Sequence, residues 1–213
     1  LSALHRLREK KWLDPDFSNQ TLSRANWSKA YIGGLDFSKS NLRGSQFVGA
    51  TVENEYIIIT VNFNKATLNG ANLARANLQR ANLEAAYLKH AKLEGATLNG
   101  ANLARANLQH ANLVRADLER ANLAGADLER ANLAGIKFWN ANLEGADLRN
   151  ANLAGAKLWR VTFNEETILP DDNLNGERSF WTPEINMTRF TNPEHPEFWQ
   201  PQWFKDQNEN DSS

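Results

Sequence analysis

A five-residue period fills residues 61–165 and constrains the fold more than any other feature of this sequence. From Phe63 to Phe163 it recurs through 21 consecutive pentapeptides without a shift in register. The central residue is Leu in 18 of these pentapeptides and Phe in the rest, and the residue two positions earlier is Ala in 18. The residue between them is Asn or Asp in 14. A fixed short period of this kind is typical of a repeat architecture.

The period fits neither of the regular backbone structures. A helix repeats every 3.6 residues and a strand every two, and a coiled coil requires heptads. A coil in which each pentapeptide forms one side and then turns a corner satisfies the pattern. Four such sides, about 20 residues, close one turn, and successive turns stack at the β spacing of roughly 4.8 Å. Leu and Ala then fill the interior, which leaves no obvious pocket, and Asn or Asp is expected at the corner.

This pattern resembles the pentapeptide repeat family, whose unit reads A-(N/D)-L-X-X, and the resemblance runs from Pro15 to about Leu169. The resemblance implies an all-β fold, a right-handed quadrilateral β-helix that is often capped by a terminal helix. It also implies relatives in cyanobacteria, most of them without an assigned activity. One branch of the family resembles duplex DNA in shape and charge and acts on DNA gyrase.

The chain divides into three segments. Residues 1–14 have an amphipathic pattern and predict a short helix that caps the open end of the solenoid, with a membrane-surface helix as the alternative. Residues 15–169 predict the repeat domain, with a frame slip near 55–61 where Ile57 would be a further core centre followed by a one-residue bulge. Residues 170–213 lack the period and are acidic and rich in Trp and Pro, which predicts an irregular tail lying back on the body.

Charge is distributed unevenly along the chain. Residues 1–165 contain 21 Lys and Arg against 15 Asp and Glu, whereas residues 166–213 contain 3 against 10. A DNA mimic requires a strongly negative rod, so the mildly basic repeats disfavour the alternative function, a DNA-mimic modulator of DNA gyrase or topoisomerase. The basic residues are scattered over several faces without an aligned aromatic platform, so no nucleic-acid partner is predicted.

No chemical motif for catalysis stands out. The sequence contains no Cys, and no Ser/His/Asp grouping, phosphate loop or carboxylate pair is apparent, so we predict no enzymatic activity, cofactor or metal. His90 and His110 lie one turn apart and could share a metal, but a closed site requires more ligands. A surface ladder of the two imidazoles is the preferred interpretation.

No apolar run approaches the length of a membrane span, and no secretory signal is visible, so no membrane partner is predicted. The cytoplasm is the expected location. The thylakoid lumen and the periplasm are alternatives if an N-terminal signal has been removed before Leu1.

The candidate site lies where residues 20 apart share a column. Trp139 and Trp159 are predicted to stack on one side of the solenoid, beside Arg120 and Arg160. Stacked exposed indoles require a partner. In one interpretation they are covered, with aromatic and cation–π contacts, by the tryptophans of the tail, Trp181, Trp199 and Trp203. In the other they form a hot spot for a protein partner, because Trp and Arg are typical anchors.

The sequence therefore predicts a non-catalytic structural and protein–protein interaction scaffold whose biochemical role is not specified. Its partner is an unidentified protein. The chain itself is expected to be a monomer or a weak homodimer, because caps at both ends disfavour end-to-end stacking.

Overall fold

Each pentapeptide contributes one short extended side followed by one tight turn. In the computed structural model, which describes residues 16–52, 60–170, 187, 191 and 194, a side is a single bridged residue and the inward residue after it. Asn102, for example, forms parallel bridges with Asn82 and Asn122. The turn that follows is closed by the Ala106 N–H, which donates to the Leu103 carbonyl at 3.0 Å.

The sides stack into a four-sided solenoid. Most bridges join residues 20 apart, as in Asn107 with Asp127, and all of them are parallel. Within the described ranges each strand is a single bridged residue. The backbone hydrogen bonds either join one coil to the next or close a turn. The pairing in four columns agrees with the coil of four pentapeptides that the period predicts.

The interior is filled by the two apolar positions of the repeat. Leu103 and Leu123 are fully buried, as are Ala101 and Ala126. Burying a Leu side chain contributes about 1.5–3 kcal/mol, and the alternation of a large and a small side chain fills the narrow interior. This layer continues along the whole described solenoid.

The first coils replace Leu with aromatic rings. Phe37 stacks between Phe17 and Phe63 on one side, with ring centroids 5.3 and 5.2 Å apart. Trp27 and Phe47 stack on another side and meet Phe37 edge-on, at 5.1 and 6.1 Å. Offset stacks and edge contacts of this kind add to area burial.

Each corner requires a left-handed backbone. The second residue of the turn has positive φ whether it is Gly, as at Gly100 (φ +65), or not, as at Arg105 (φ +58). A type II turn requires this pattern, with negative φ at its first central residue and positive φ at its second. The Asn or Asp that precedes the central residue of the repeat unit does not occupy this corner, contrary to the prediction from the sequence. It lies on the bridged position before the corner, where the Asn102 Oδ1, for instance, accepts the Ala104 N–H at 3.2 Å.

Two coils are longer than the regular ones: the last by one residue, as Asp147 bridges Ile168, and an earlier one by six. In the earlier coil Asp36 bridges Asn62, and Gln46 bridges Asn72, so the separation is 26 residues where the regular coils have 20. Six residues are therefore added to this coil, which equals one pentapeptide and a shift of one residue in the five-residue frame. Ile57, the predicted core centre, lies outside the described residues.

Part of the C-terminal segment contacts the last coil. The Gly155 N–H donates to the Thr191 carbonyl at 2.6 Å, and Met187 packs, partly buried, against the core. Residues 1–14 and most of 170–213, including the predicted N-terminal cap, lie outside the described residues. In the described part of the chain, no helix has the length and apolar character to cross a membrane.

Candidate protein-binding face

Two tryptophans occupy one column on successive coils. The Arg120 N–H donates to the Trp139 carbonyl at 2.8 Å, and the Asn140 N–H donates to the Trp159 carbonyl at 2.9 Å. Arg120, Trp139 and Trp159 therefore lie on three consecutive coils of one side. We call this side, with its bridged residues Thr97, Asp117, Lys137 and Lys157, the tryptophan side.

Both indoles of the tryptophan side are exposed. Trp139 is 40% exposed and Trp159 is 58% exposed. The tail tryptophans that would cover them in the other interpretation, Trp181, Trp199 and Trp203, lie outside the described residues, so that interpretation stays a prediction. Among the described residues the other large exposed apolar side chain is Tyr87, at 52%, on a different side of the solenoid.

Arg160 packs over its own neighbour. Its guanidinium carbon lies 4.3 Å from the centroid of the Trp159 ring. A cation–π contact at an exposed site contributes about 0.5–1 kcal/mol. Because Arg160 occupies the left-handed corner (φ +54), the contact joins the two positions of one turn and orients the indole without help from another segment.

The remaining charges of this side are only partly paired. The Arg120 Nε lies 3.7 Å from a Glu119 carboxylate oxygen, and the Arg120 side chain stays 75% exposed. The Lys137 Nζ donates to the Asp117 Oδ2 at 3.0 Å. Exposed ion pairs of this kind are weak, so Arg120 remains available to a partner's carboxylate.

The backbone beneath these side chains is held in place by a buried residue and a hydrogen-bonded turn. Phe138, which precedes Trp139, is fully buried, and the turn after it is closed by a bond from the Ala141 N–H to the Phe138 carbonyl at 2.9 Å. A backbone held in this way does not have to become ordered on binding, which reduces the entropic cost of association.

A groove extends the same side toward the N-terminus. It encloses about 380 Å³ and is lined by Gln79, Arg80, Asn99, Gly100, Glu119 and Arg120. The sequence predicted no obvious pocket because the interior is filled. This groove lies on the exterior of the solenoid, which that argument did not cover. The signal in the sequence was Gly100 standing between Arg80 and Arg120, at intervals of 20 residues.

The two stacked histidines form a ladder. The rings of His90 and His110 lie 4.9 Å apart with an interplanar angle of 26°. The pKa of His110 is lowered, first by burial and then by the neighbouring His90, Arg130 and Lys89 cations. In the part of the chain that the structure describes, no group of three or more His, Cys, Asp or Glu side chains could hold a metal ion.

These features define a repeat solenoid with an exposed aromatic and cationic side. A family model described as pentapeptide repeats matches residues 16–54, 62–100, 101–140 and 126–164, in eight copies. The chain therefore belongs to the pentapeptide repeat family, as its sequence predicted. A comparison with curated proteins gives no match.

Several solved structures of pentapeptide repeat proteins are similar to this chain. HetL, involved in heterocyst differentiation regulation in the cyanobacterium Nostoc sp. strain PCC 7120, is 28% identical over 80% of this chain and 97% of its own, with a TM-score of 0.27. Rfr23 from the cyanobacterium Cyanothece 51142 is 25% identical over 80% and 98%, with a TM-score of 0.32. QnrB1, a plasmid-mediated fluoroquinolone resistance protein, is 16% identical over 76% and 88%, also with a TM-score of 0.32. These TM-scores are low, so the family assignment rests on the family model.

Proposed function

We propose that this protein is a non-catalytic scaffold that binds a protein partner through its tryptophan side. The observation that carries the proposal is the exposure of Trp139 and Trp159 on successive coils, at 40% and 58%. Arg120 and Arg160 flank the two indoles and supply hydrogen-bond donors at the rim of the same surface. Aromatic anchors with adjacent arginines are the residue types that dominate binding energy at protein interfaces.

The magnitude expected of such anchors is large. A Trp buries about 150–250 Å² in a full contact, and truncation of a hot-spot residue costs about 2 kcal/mol or more, which is roughly a thirtyfold loss of affinity. Because the indoles are already oriented by the coil, we expect most of this energy to appear as affinity.

The test is partner capture from a lysate of the source organism, followed by titration calorimetry with the captured protein. The chain with both Trp139→Ala and Trp159→Ala is expected to lose at least about thirtyfold in affinity. The matched control is Tyr87→Ala, which removes an exposed aromatic from another side and is expected to bind as the parent does. Retained affinity in the double variant would rule out the tryptophan side as the binding site.

A few predictions stay predictions. They are the right-handed sense of the coil, the capping helix over residues 1–14, the cytoplasmic location and the monomeric or weakly dimeric state. Modulation of DNA gyrase by DNA mimicry gains no support from the charge of residues 1–165, where 21 cations face 15 anions, and no second function is proposed.

A further inference from the structure

The groove on the tryptophan side exists because one side chain is absent. Arg80, Gly100 and Arg120 occupy the same corner position on three successive coils. A Cβ added at Gly100 would meet the Arg80 Cγ at 3.6 Å, an ordinary contact distance. A longer side chain at Gly100 would therefore occupy the space between the two arginines, and glycine leaves that space open.

An unsatisfied acceptor lies in the same groove. The Asn99 Oδ1 is buried and has no hydrogen-bond donor. Asn69 occupies the equivalent position on another side, and its Oδ1 accepts the Lys89 N–H of the next coil at 2.9 Å. The corresponding donor for Asn99 would be the Glu119 N–H, but Asp117 already accepts it at 3.2 Å.

This difference has a simple cause. Tyr87 precedes Lys89 by two residues, as Asp117 precedes Glu119. Tyr has no side-chain oxygen close enough to the backbone to accept the N–H two residues later, as Asp117 does. The Lys89 N–H is therefore free to bond Asn69, while the Glu119 N–H is not free to bond Asn99. A buried acceptor without a donor costs free energy. A ligand that displaces the side chains covering the Asn99 Oδ1 and supplies an N–H group would remove that cost.

The groove also offers cationic donors. In the described residues no carboxylate lies within ion-pair distance of Arg80, and Glu119 pairs only with Arg120, at 3.7 Å. A ligand that carries both a carboxylate and an N–H donor fits this set. An anion without a hydrogen-bond donor, such as sulfate, would satisfy Arg80 but not Asn99, whereas an acidic residue within a peptide satisfies both.

We propose that the groove is a subsite for an Asp or Glu residue of an extended peptide segment of the partner protein. The carboxylate binds Arg80, with Arg120 at the far side of the groove. A backbone N–H of the segment displaces the side chains that cover the Asn99 Oδ1 and donates to that oxygen. This inference rests on the proposed function, since the same segment continues along the solenoid to Trp139 and Trp159.

The spacing of the coils then sets the spacing of the binding residues in the partner sequence. The stacked histidines put the coil spacing near 4.9 Å, so Trp139, two coils beyond Asn99, lies about 9.8 Å away along the axis. An extended chain advances about 3.3 Å per residue. The acidic residue should therefore stand about three positions from the aromatic or apolar residue that packs on Trp139, and about four to five from one on Trp159.

The experiment uses labelled peptides and the full chain. Each fluorescein-labelled peptide carries one Glu and one Trp in an Ala/Gln background, separated by one to about six positions, and affinity is read by fluorescence polarisation. We expect the tightest binding at a separation of about three. Arg80→Glu should weaken this peptide about tenfold or more, and a Lys-for-Glu peptide should bind Arg80→Glu better than it binds the parent chain.

The matched control is Arg75→Glu. Arg75 occupies the same corner position on another side, with Gly95 beside it as Gly100 stands beside Arg80, and its substitution changes net charge by the same amount. We expect the peptide to bind this variant as it binds the parent. Equal losses in the two variants, or binding that ignores the Glu–Trp separation, would show general charge attraction and overturn the inference.

Asn99→Ala separates a binding role from a structural one. Removing an unsatisfied acceptor should leave the urea unfolding midpoint unchanged or higher, while peptide affinity falls. An unchanged peptide affinity in this variant would remove Asn99 from the subsite.

Failure of the two proposals can be told apart. Peptide binding that depends on Trp139 and Trp159 but not on Arg80 would overturn the acidic subsite and leave the proposed function standing. Absence of saturable binding by every peptide would also overturn the subsite, while the capture experiment with the double Trp variant still decides the proposed function.

Discussion

Replacing Ala85 with Gly should stabilise this protein, although an Ala→Gly change in an ordered segment normally destabilises it. Ala85 occupies the left-handed corner of its repeat, with φ +52. The corner is held there by the next coil, because the Ala85 N–H donates to the Ala104 carbonyl at 2.9 Å. The residue therefore cannot relax to a negative φ without losing that bond.

The magnitude follows from two opposing costs. A left-handed conformation costs a residue with a Cβ about 1–2 kcal/mol, and glycine removes this cost. Glycine also has more conformational freedom to lose on folding, about 0.5–1 kcal/mol relative to Ala. The balance is a gain of about 0–1.5 kcal/mol, centred near 0.75 kcal/mol, or a rise in Tm of up to roughly 6 °C for a chain of this size.

The assay is urea unfolding followed by circular dichroism, with the slope of the transition checked for each variant. The matched control is Ala104→Gly, in the turn position before a corner, where φ is not positive; it should destabilise by about 0.5–1 kcal/mol. Gly70→Ala completes the set. Its φ is +65 and a Cβ would meet nothing within 4 Å, so any loss of stability comes from the backbone alone.

A loss of stability in Ala85→Gly equal to that in Ala104→Gly would refute the reasoning. The outcome also bears on the binding experiments. Arg120 and Arg160 have φ +57 and +54, so deleting these side chains by substitution to Gly should not weaken the fold, and Arg→Gly is a cleaner test of their contacts than Arg→Ala.

Two further predictions concern the core and the histidine ladder. Leu108→Ala, at a fully buried position, should destabilise by about 2–5 kcal/mol, measured by the same urea transition, and a change near zero would contradict a filled interior. The pKa of His110 lies below its ordinary value of 6.5 in the folded chain, so its contribution to stability is present above about pH 6.5 and is lost as pH falls through the lowered pKa. His110→Gln should therefore flatten the fall in the urea midpoint between about pH 7 and pH 5, and an unchanged pH dependence would contradict this.

The periodic parts of the fold could be predicted because they are local. The positions that Leu103 and Ala101 represent face inward in every comparable repeat. A five-residue side admits only one arrangement in which both positions are buried. Residues 20 apart then share a column, so the proximity of Trp139 and Trp159 could be calculated before their exposure was known.

Other features could not be predicted, because they depend on which coil lies next. The frame slip before Phe63 indicates a shift of one residue, but the pairing of Asp36 with Asn62 shows that six residues are added. The corner position accepts Gly, Arg, Lys, Asn, Ala and His alike, so the residue type did not reveal the left-handed backbone. Hydrogen bonds from the adjacent coil hold it there.

The sequence by itself determined the family, the coil of four sides, the buried positions and the column that holds Trp139 and Trp159, since each follows from a period that covers most of the chain. Only the tertiary structure decided that the two indoles are exposed and that a groove lies beside them. The groove depends on the absent side chain at Gly100 between two arginines, and its unsatisfied acceptor depends on Asp117 having taken the N–H that Asn99 would otherwise bond. Both are relations between neighbouring coils, which no single pentapeptide contains.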